Sequence, residues 1–145
     1  MPETLPILLL NGPNLNMLGT REPAVYGVET LDDAVTLARQ AAARSGRELA
    51  AFQSNSEGAL IDRLQQAQGA VSGIVINAGG LSHTSVVLRD ALVIPGVPIV
   101  EVHITNVHAR EGFRHHSYIS AIADAVVVGM GIFGYACAVQ YLTRP

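Results

Sequence analysis

Five short apolar runs recur along the chain, separated by segments with a helical spacing of apolar residues. Runs that are apolar at successive positions, rather than at alternate ones, are typical of strands covered on both faces. We therefore predict five strands buried on both faces. Their predicted bounds are 7–10, 49–52, 73–76, 98–102 and 125–128.

Between these runs, apolar residues recur three or four positions apart after a serine or threonine that could cap a helix. The predicted helix starts follow Thr30, Ser56 and the pair Thr84 and Ser85. The nearly apolar stretch 125–142 is read as a buried strand followed by a buried helix. Strands that alternate with helices predict an α/β fold: a parallel sheet, most simply of order 2-1-3-4-5, with helices on both faces.

Length and composition predict one folded domain that spans residues 1–145. Hydrophobic residues make up 49 % of the chain and charged residues only 14 %. A small globule rarely hides so many apolar residues, so we expect a subunit interface. The formal net charge of −3 and the lack of a basic stripe argue against a nucleic acid or an anionic membrane as partner.

Two residue counts exclude whole reaction classes. All nine basic residues are arginines, so imine chemistry, pyridoxal attachment and a P-loop lysine have no amine to use. Cys137 is the single cysteine, which excludes an intrachain disulfide and a cysteine zinc site, and its apolar helical context indicates core packing. The apolar stretch 5–10 is too short for a signal peptide, so we expect a cytoplasmic protein.

Polar residues follow the predicted strands at the edge where ligands bind in such sheets. Asn11 and Asn14 follow the first predicted strand, Asn77 follows the third, and Glu101 and His103 lie at the end of the fourth and just after it. Because side chains alternate along a strand, Glu101 and His103 face the same side, where a carboxylate could orient an imidazole directly or through a shared partner. A lone histidine would more often be structural, but this setting favours a functional site.

The connection between the first strand and the first helix is unusually long, with about 17 residues and no predicted regular structure, against two to six in a typical βα loop. Such loops are often lids. This one contains Arg21 and Tyr26, and a guanidinium beside a phenol stabilises the phenolate, which can act as a general base. A surface loop with a packing tyrosine explains the pattern equally well.

Three further motifs favour structural interpretations. The histidines in 106–116 lack a familiar metal spacing, so no metal is expected there. The G-x-G-x-x-G match at 129–134 opens the last helix with no strand after it, so close helix packing explains its glycines better than a dinucleotide does. Residues 82–85 begin a helix and could favour an anion, although an N-cap explains them as well.

Four stretches together closely resemble the type II 3-dehydroquinate dehydratases, small flavodoxin-like enzymes of aromatic amino-acid biosynthesis. They are LLLNGPNLNMLGTREPAVYG, FQSNSEGALIDRL, GIVINAGGLSHTSVVLRDAL and VEVHITNVHAREGFRHHSYIS. The resemblance covers nearly the whole chain. It implies dehydration of 3-dehydroquinate to 3-dehydroshikimate by stepwise anti elimination through an enolate, without metal, cofactor or imine.

The resemblance also implies a role for each matching catalytic residue. Tyr26 would be the base, working as a phenolate that Arg21 stabilises. Asn14 would position a water that stabilises the enolate, and His103 would protonate the departing hydroxyl while Glu101 fixes its orientation.

Substrate contacts and assembly are implied in the same way. Asn77 and the backbone N–H groups of Ile104 and Thr105 would hold the carboxylate. The remaining hydroxyls or the closed lid would contact His83, Arg114 and, less clearly, Arg110, and Asp90 would enter a neighbouring subunit's site in a homo-oligomer, a dodecamer built from trimers.

Four positions depart from the family's common residues: Thr105, Ser56, Gly112 and Phe133. Only backbone atoms of Thr105 are implicated, so this departure leaves catalysis in place. The biosynthetic role and quinate breakdown share the reaction, and the sequence does not separate them. A phosphorelay receiver is disfavoured because asparagines stand where a phospho-accepting aspartate is needed, and a flavin or nicotinamide module because the fingerprint fails.

Overall fold

A computed structural model describes residues 5–20 and 22–145 as a five-stranded parallel sheet with helices on both faces. The strands are β1 (Ile7–Asn11), β2 (Leu49–Gln53), β3 (Gly73–Asn77), β4 (Ile99–His103) and β5 (Ala125–Val128). The α-helices are α1 (Pro23–Tyr26), α2 (Leu31–Arg44), α3 (Glu57–Gln66), α4 (Val86–Leu92) and α5 (Phe133–Thr143). The predicted α/β class and alternation are confirmed.

The strand order is β2-β1-β3-β4-β5, as predicted. β1 is an interior strand, with Asn11 opposite Gln53 of β2 on one side and Asn77 of β3 on the other. β4 pairs with β3 and β5. This register brings the carboxyl ends of β1, β3 and β4 to one edge, where their polar residues meet.

Each face of the sheet carries its own apolar core. Leu9 and Val102 point to the face covered by α2 and α5, whereas Leu10 and Ile99 point to the face covered by α3 and α4. The alternation along β4 therefore places Glu101 on the same face as Ile99. A charged side chain consequently lies on the buried face of a central strand.

Helix starts follow the predicted capping residues. The Thr30 side chain accepts from the N–H of Asp33 while Asp33 accepts from the N–H of Thr30, which forms a capping box at α2. Ser56 and Ser85 cap α3 and α4 in the simpler way, each accepting one backbone N–H. Local sequence thus determines where these three helices begin.

Two structural expectations are wrong in part. The edge strands are not buried on both faces in this chain, because each has a neighbour on one side only; Val126 of β5 is 44 % exposed. The long connection after β1 has regular structure, a 3₁₀ turn at Leu15–Met17 and the one-turn helix α1. Among the described residues, no helix is long and apolar enough to cross a membrane.

Two different features of the structure explain why glycines are present at 131 and 134. A Cβ on Gly134 would lie 3.0 Å from Val127 Cγ1, so the predicted close packing of α5 on the sheet is confirmed there. Gly131 has no such neighbour within 4 Å but has a φ of +61°, so the packing explanation is wrong for this glycine and its turn is the reason. Cys137 is only partly buried on α5.

Candidate active site

A pocket lies at the carboxyl ends of β1, β3 and β4. The segments that follow β1 and β3 approach closely, since the Gly12 N–H donates to the Asn77 carbonyl and a Cβ on Gly12 would lie 2.5 Å from the Ala78 oxygen. Glycine is therefore needed at position 12. The lining residues are Pro13, Asn14, Leu15, Tyr26, Asn77, Gly79, Gly80, His83, His103, Ile104, Thr105, Val107, Arg110 and Arg114.

His103 projects from the end of β4 and is paired with Glu101. Their side chains are 7 % and 0 % exposed, and His103 Nε2 donates to Glu101 Oε2 over 2.5 Å. Of the two arrangements that their spacing allows, the structure has the direct contact. Because Nε2 is engaged, Nδ1 is the ring nitrogen left for chemistry.

Two serines complete the surroundings of Glu101. Ser117 Oγ donates to Oε2 over 2.6 Å, and Ser120 Oγ donates to Oε1 over 2.5 Å. Burial raises the pKa of Glu101, but hydrogen bonds from His103, Ser117 and Ser120 and the attraction to His103 outweigh it and hold the pKa below its ordinary value of 4.5. The buried carboxyl group is thus kept as an anion behind the imidazole.

His83 lies beside His103, with their rings stacked at a centroid distance of 6.1 Å. Its Nδ1 is 2.8 Å from the His116 carbonyl oxygen. Since a carbonyl only accepts, Nδ1 carries the hydrogen, and Nε2 of the neutral ring is an acceptor. An acceptor at this position suits a hydroxyl group of a ligand.

Tyr26, the last residue of α1, also lines the pocket. Its hydroxyl accepts from Arg110 Nη1 over 3.0 Å, and the same nitrogen donates to Thr105 Oγ1 over 3.3 Å. A guanidinium therefore contacts the phenol, although it belongs to Arg110. Arg21, the predicted partner, lies outside the described residues.

The expectation that only the backbone of Thr105 contributes to the site is wrong. Its side-chain oxygen accepts a hydrogen bond from Arg110. Ile104 follows His103 in the pocket wall, and the N–H of Gly131 donates to its carbonyl over 3.0 Å. The turn before α5 thereby fixes the backbone at the end of β4.

Among the remaining predicted residues, Asn14 and Arg114 line the pocket, and Asp90 does not. Asn14 has a left-handed backbone, with φ of 71°, and its N–H donates to Asn55 Oδ1. Arg114 is paired with Glu111 over 2.9 Å. Asp90 lies on α4, where its exposed carboxylate is paired with Arg89.

The sequence did not reveal four hydrogen bonds that shape the site. These are the bond of Arg110 to Tyr26, the serine bonds to Glu101 and a bond between Tyr135 and Asn77. The segment that contains Arg110 is conspicuous in the sequence only for its histidines, and no local spacing joins residues 84 positions apart. Tyr135 lies in an apolar helical run that gives no sign of a polar partner.

In residues 5–20 and 22–145 no cluster of three or more histidine, cysteine, aspartate or glutamate side chains is arranged to hold a metal ion. The pocket instead brings together a phenol, two imidazoles and two guanidinium groups. Such a set can bind an anion and move protons.

Comparison with known proteins identifies the family. The model of the family described as "Dehydroquinase class II" matches residues 5–143. The chain belongs to this family. Type II 3-dehydroquinate dehydratases are hydro-lyases, and the chain is an enzyme of that class.

Individual relatives agree with the family match. "Catabolic 3-dehydroquinase 2" of Aspergillus flavus is 60 % identical over 135 residues, which cover 93 % of this chain and 90 % of that protein. "3-dehydroquinate dehydratase" of a Janthinobacterium species is 57 % identical over 139 residues, 95 % of this chain and 96 % of that protein. The fungal name refers to a catabolic enzyme, whereas the bacterial name specifies no pathway.

Solved structures of type II dehydroquinases have the same fold. The enzyme from Propionibacterium acnes has a TM-score of 0.91 at 39 % identity, covering 97 % of each chain. The enzyme from Butyrivibrio crossotus has a TM-score of 0.93 at 40 % identity, covering 97 % of this chain and 99 % of that one. The flavodoxin-like architecture is therefore that of the family.

Proposed function

We propose that this enzyme converts 3-dehydroquinate to 3-dehydroshikimate by a stepwise anti elimination of water through an enolate. The observation that carries the proposal is the meeting of two pairs at one pocket: a phenol with a guanidinium, Tyr26 and Arg110, and an imidazole with a buried carboxylate, His103 and Glu101. The first pair suits a base and the second an acid.

In the first step the Tyr26 phenolate takes a proton from the carbon beside the ketone. The electrons of that C–H bond pass into the carbonyl group and form an enolate. Arg110 supports the step because its guanidinium, 3.0 Å from the phenolic oxygen, stabilises negative charge there. Arg21 has the same proposed role, and Asn14 would hold the water that stabilises the enolate oxygen.

In the second step the enolate collapses to form the carbon–carbon double bond while the C–O bond to the hydroxyl breaks. The hydroxyl takes a proton from His103 and leaves as water. Because Nε2 donates to Glu101, the proton comes from Nδ1. Glu101 orients the ring and balances the charge of its protonated form.

Substrate binding would use the remaining pocket residues. Asn77 and the backbone N–H groups of Ile104 and Thr105 would hold the carboxylate, while His83 and Arg114 would contact the other oxygen atoms. The acceptor nitrogen of His83 is suited to a hydroxyl, and the cationic Arg114 to an anion or to lid closure. No metal or cofactor has a step in this scheme.

Solvent exchange separates the two proposed steps. In deuterated water, His103→Ala should lose dehydration more severely than exchange of the proton beside the ketone, because Tyr26 still performs the exchange. Mass spectrometry of recovered substrate measures exchange, and product absorbance measures elimination. Equal loss of both would show that His103 only binds substrate.

Tyr26→Phe is the complementary variant. Removal of a general base should lower kcat by about 10²- to 10⁴-fold while the melting temperature stays near that of the wild type. A folded variant with near-normal turnover would refute the assignment of the base. Treatment with borohydride in the presence of substrate, or with a chelator, should leave the wild type active, because the mechanism uses neither an imine nor a metal.

The resemblance to type II 3-dehydroquinate dehydratases is the basis for proposing a role in aromatic amino-acid biosynthesis, and quinate breakdown is the alternative role. The catabolic names of the fungal relatives favour the alternative, and both routes use the same reaction. Deletion of the gene in its host decides between them. A requirement for aromatic amino acids supports the first role, and loss of growth on quinate alone supports the second.

We propose a homo-oligomer, a dodecamer built from trimers, in which Asp90 enters a neighbouring site. The exposed carboxylate of Asp90 and several exposed apolar side chains support an interface. The most exposed of these are Val28, Phe113, Phe133 and Val87.

Light scattering tests the assembly, and a monomer at working concentration would refute it. Mixed oligomers of inactive Tyr26→Phe and inactive Asp90→Ala chains should regain activity, because some sites then contain both native residues. No recovery in mixtures shown to co-assemble would exclude Asp90 from a neighbouring site. A cytoplasmic location is also proposed, to be tested by cell fractionation.

A further inference from the structure

A buried chain of hydrogen bonds lies behind the pocket wall. Asn11 and Asn77 are opposite one another at the ends of β1 and β3. The phenol of Tyr135, from the first turn of α5, lies between them and is fully buried. Its O–H donates to Asn11 Oδ1 over 2.7 Å, and its oxygen accepts from Asn77 Nδ2 over 2.9 Å.

Hydrogen bonds to both the oxygen and the nitrogen of the Asn77 carboxamide fix its orientation. The N–H of Gly79 donates to Asn77 Oδ1 over 3.1 Å, so the oxygen of the carboxamide faces Gly79 and the nitrogen faces Tyr135. A phenol has one hydrogen, and Asn11 receives it. Burial raises the pKa of Tyr135, which keeps the phenol protonated.

The amide nitrogen of Asn77 has a second hydrogen that Tyr135 does not use. Asn77 and Gly79 line the pocket, whereas Tyr135 is not among the described residues that line it. With its oxygen turned to Gly79, the Asn77 side chain can offer the pocket a donor. A donor is what an oxygen atom of an anionic substrate requires, whereas a flipped amide would present an acceptor and repel it.

We propose that Tyr135 is a positioning residue for substrate binding, which holds the Asn77 carboxamide with its N–H group available to the substrate carboxylate. This inference rests on the proposed function for the identity of the ligand. Tyr135 acts through Asn77 and takes no part in proton transfer. Its loss should consequently affect KM rather than kcat.

Tyr135→Phe tests the proposal because it keeps the ring and removes only the hydroxyl. KM for 3-dehydroquinate should rise by about tenfold, as expected for one lost buried hydrogen bond, with kcat changed by less than about threefold. Tyr141→Phe is the matched control: it lies on the same helix, with its ring against Arg144. This control should leave KM unchanged.

A double-mutant cycle separates positioning from general destabilisation. In an Asn77→Ala background the Tyr135→Phe change should alter KM by less than about twofold, since the group that it positions is gone. The same tenfold effect in both backgrounds would overturn the proposal. So would a Tyr135→Phe enzyme with wild-type KM.

An independent measurement uses the wild-type protein and no substrate. In NMR spectra of ¹⁵N-asparagine-labelled protein, one side-chain amide proton of Asn77 should exchange with solvent at least about tenfold more slowly than the other, because Tyr135 protects it. Fast exchange of both protons would overturn the inference even if Tyr135→Phe does not fold. If the wild type leaves 3-dehydroquinate unchanged, the proposed function fails, and this exchange still decides the role of Tyr135.

Discussion

Glu101→Gln removes the negative charge behind His103 and preserves the shape of the side chain. Glu101 is fully buried and accepts hydrogen bonds from His103, Ser117 and Ser120. The amide can still bond to its neighbours but no longer balances a protonated imidazole. In the proposed second step, the positive charge on His103 is then stabilised less well.

The expected fall in kcat follows from the kind of hydrogen bond that is lost. A hydrogen bond to a charged group contributes about 1.5–3 kcal/mol, and each 1.36 kcal/mol corresponds to a tenfold change in rate. We therefore expect kcat to fall by about 10- to 150-fold at neutral pH.

The assay is steady-state turnover of 3-dehydroquinate at neutral pH, followed by absorbance of the conjugated product. Glu57→Gln is the matched control, since Glu57 also accepts a serine hydrogen bond, from Ser85, but lies outside the pocket. The control should stay within about twofold of wild type. A folded Glu101→Gln enzyme with kcat within about twofold of wild type would refute the role of the carboxylate.

Three further predictions follow from individual contacts. Arg110→Ala should lower kcat by at least about tenfold through loss of a charged hydrogen bond to Tyr26, whereas Arg44→Ala, on the exposed end of α2, should not. The folded pKa of Glu101 lies below 4.5, so its contribution to the free energy of unfolding is present above about pH 4.5 and is lost as the pH falls through the folded value. Urea unfolding should therefore show wild type losing stability on acidification more steeply than Glu101→Gln; parallel loss would contradict the pKa direction. Leu64→Ala, at a fully buried position of α3, should lower the free energy of unfolding by about 2–5 kcal/mol in the same assay, and a loss below 1 kcal/mol would contradict that packing.

The fold could be predicted because its signals are local. Five apolar runs and the capping residues Thr30, Ser56 and Ser85 determine the strands and helix starts, and the alternation then favours the observed sheet order. Exposure of edge strands could not be predicted from the runs alone, because Val126 is as apolar as a central residue. Neighbours across the sheet decide burial, and the sequence does not display them.

The candidate site was predictable to a lesser extent. Glu101 and His103 are two residues apart on one strand, so strand geometry alone brings them together. Tyr26 and Arg110 meet only after the segments that follow β1 and β4 pack against each other. The hydrogen bond between Tyr135 and Asn77 depends on how α5 packs on the sheet, and no pattern within α5 predicts that packing. Contacts between distant segments were therefore missed.

Incubation of the wild-type enzyme with 3-dehydroquinate, while near-ultraviolet absorbance is recorded, shows directly whether the pocket dehydrates this compound. If the pocket dehydrates this substrate, the conjugated product appears at a rate proportional to enzyme concentration, and Tyr26→Phe measured in parallel gives almost none. No absorbance change with folded wild-type enzyme, or an equal rate with Tyr26→Phe, would contradict the account.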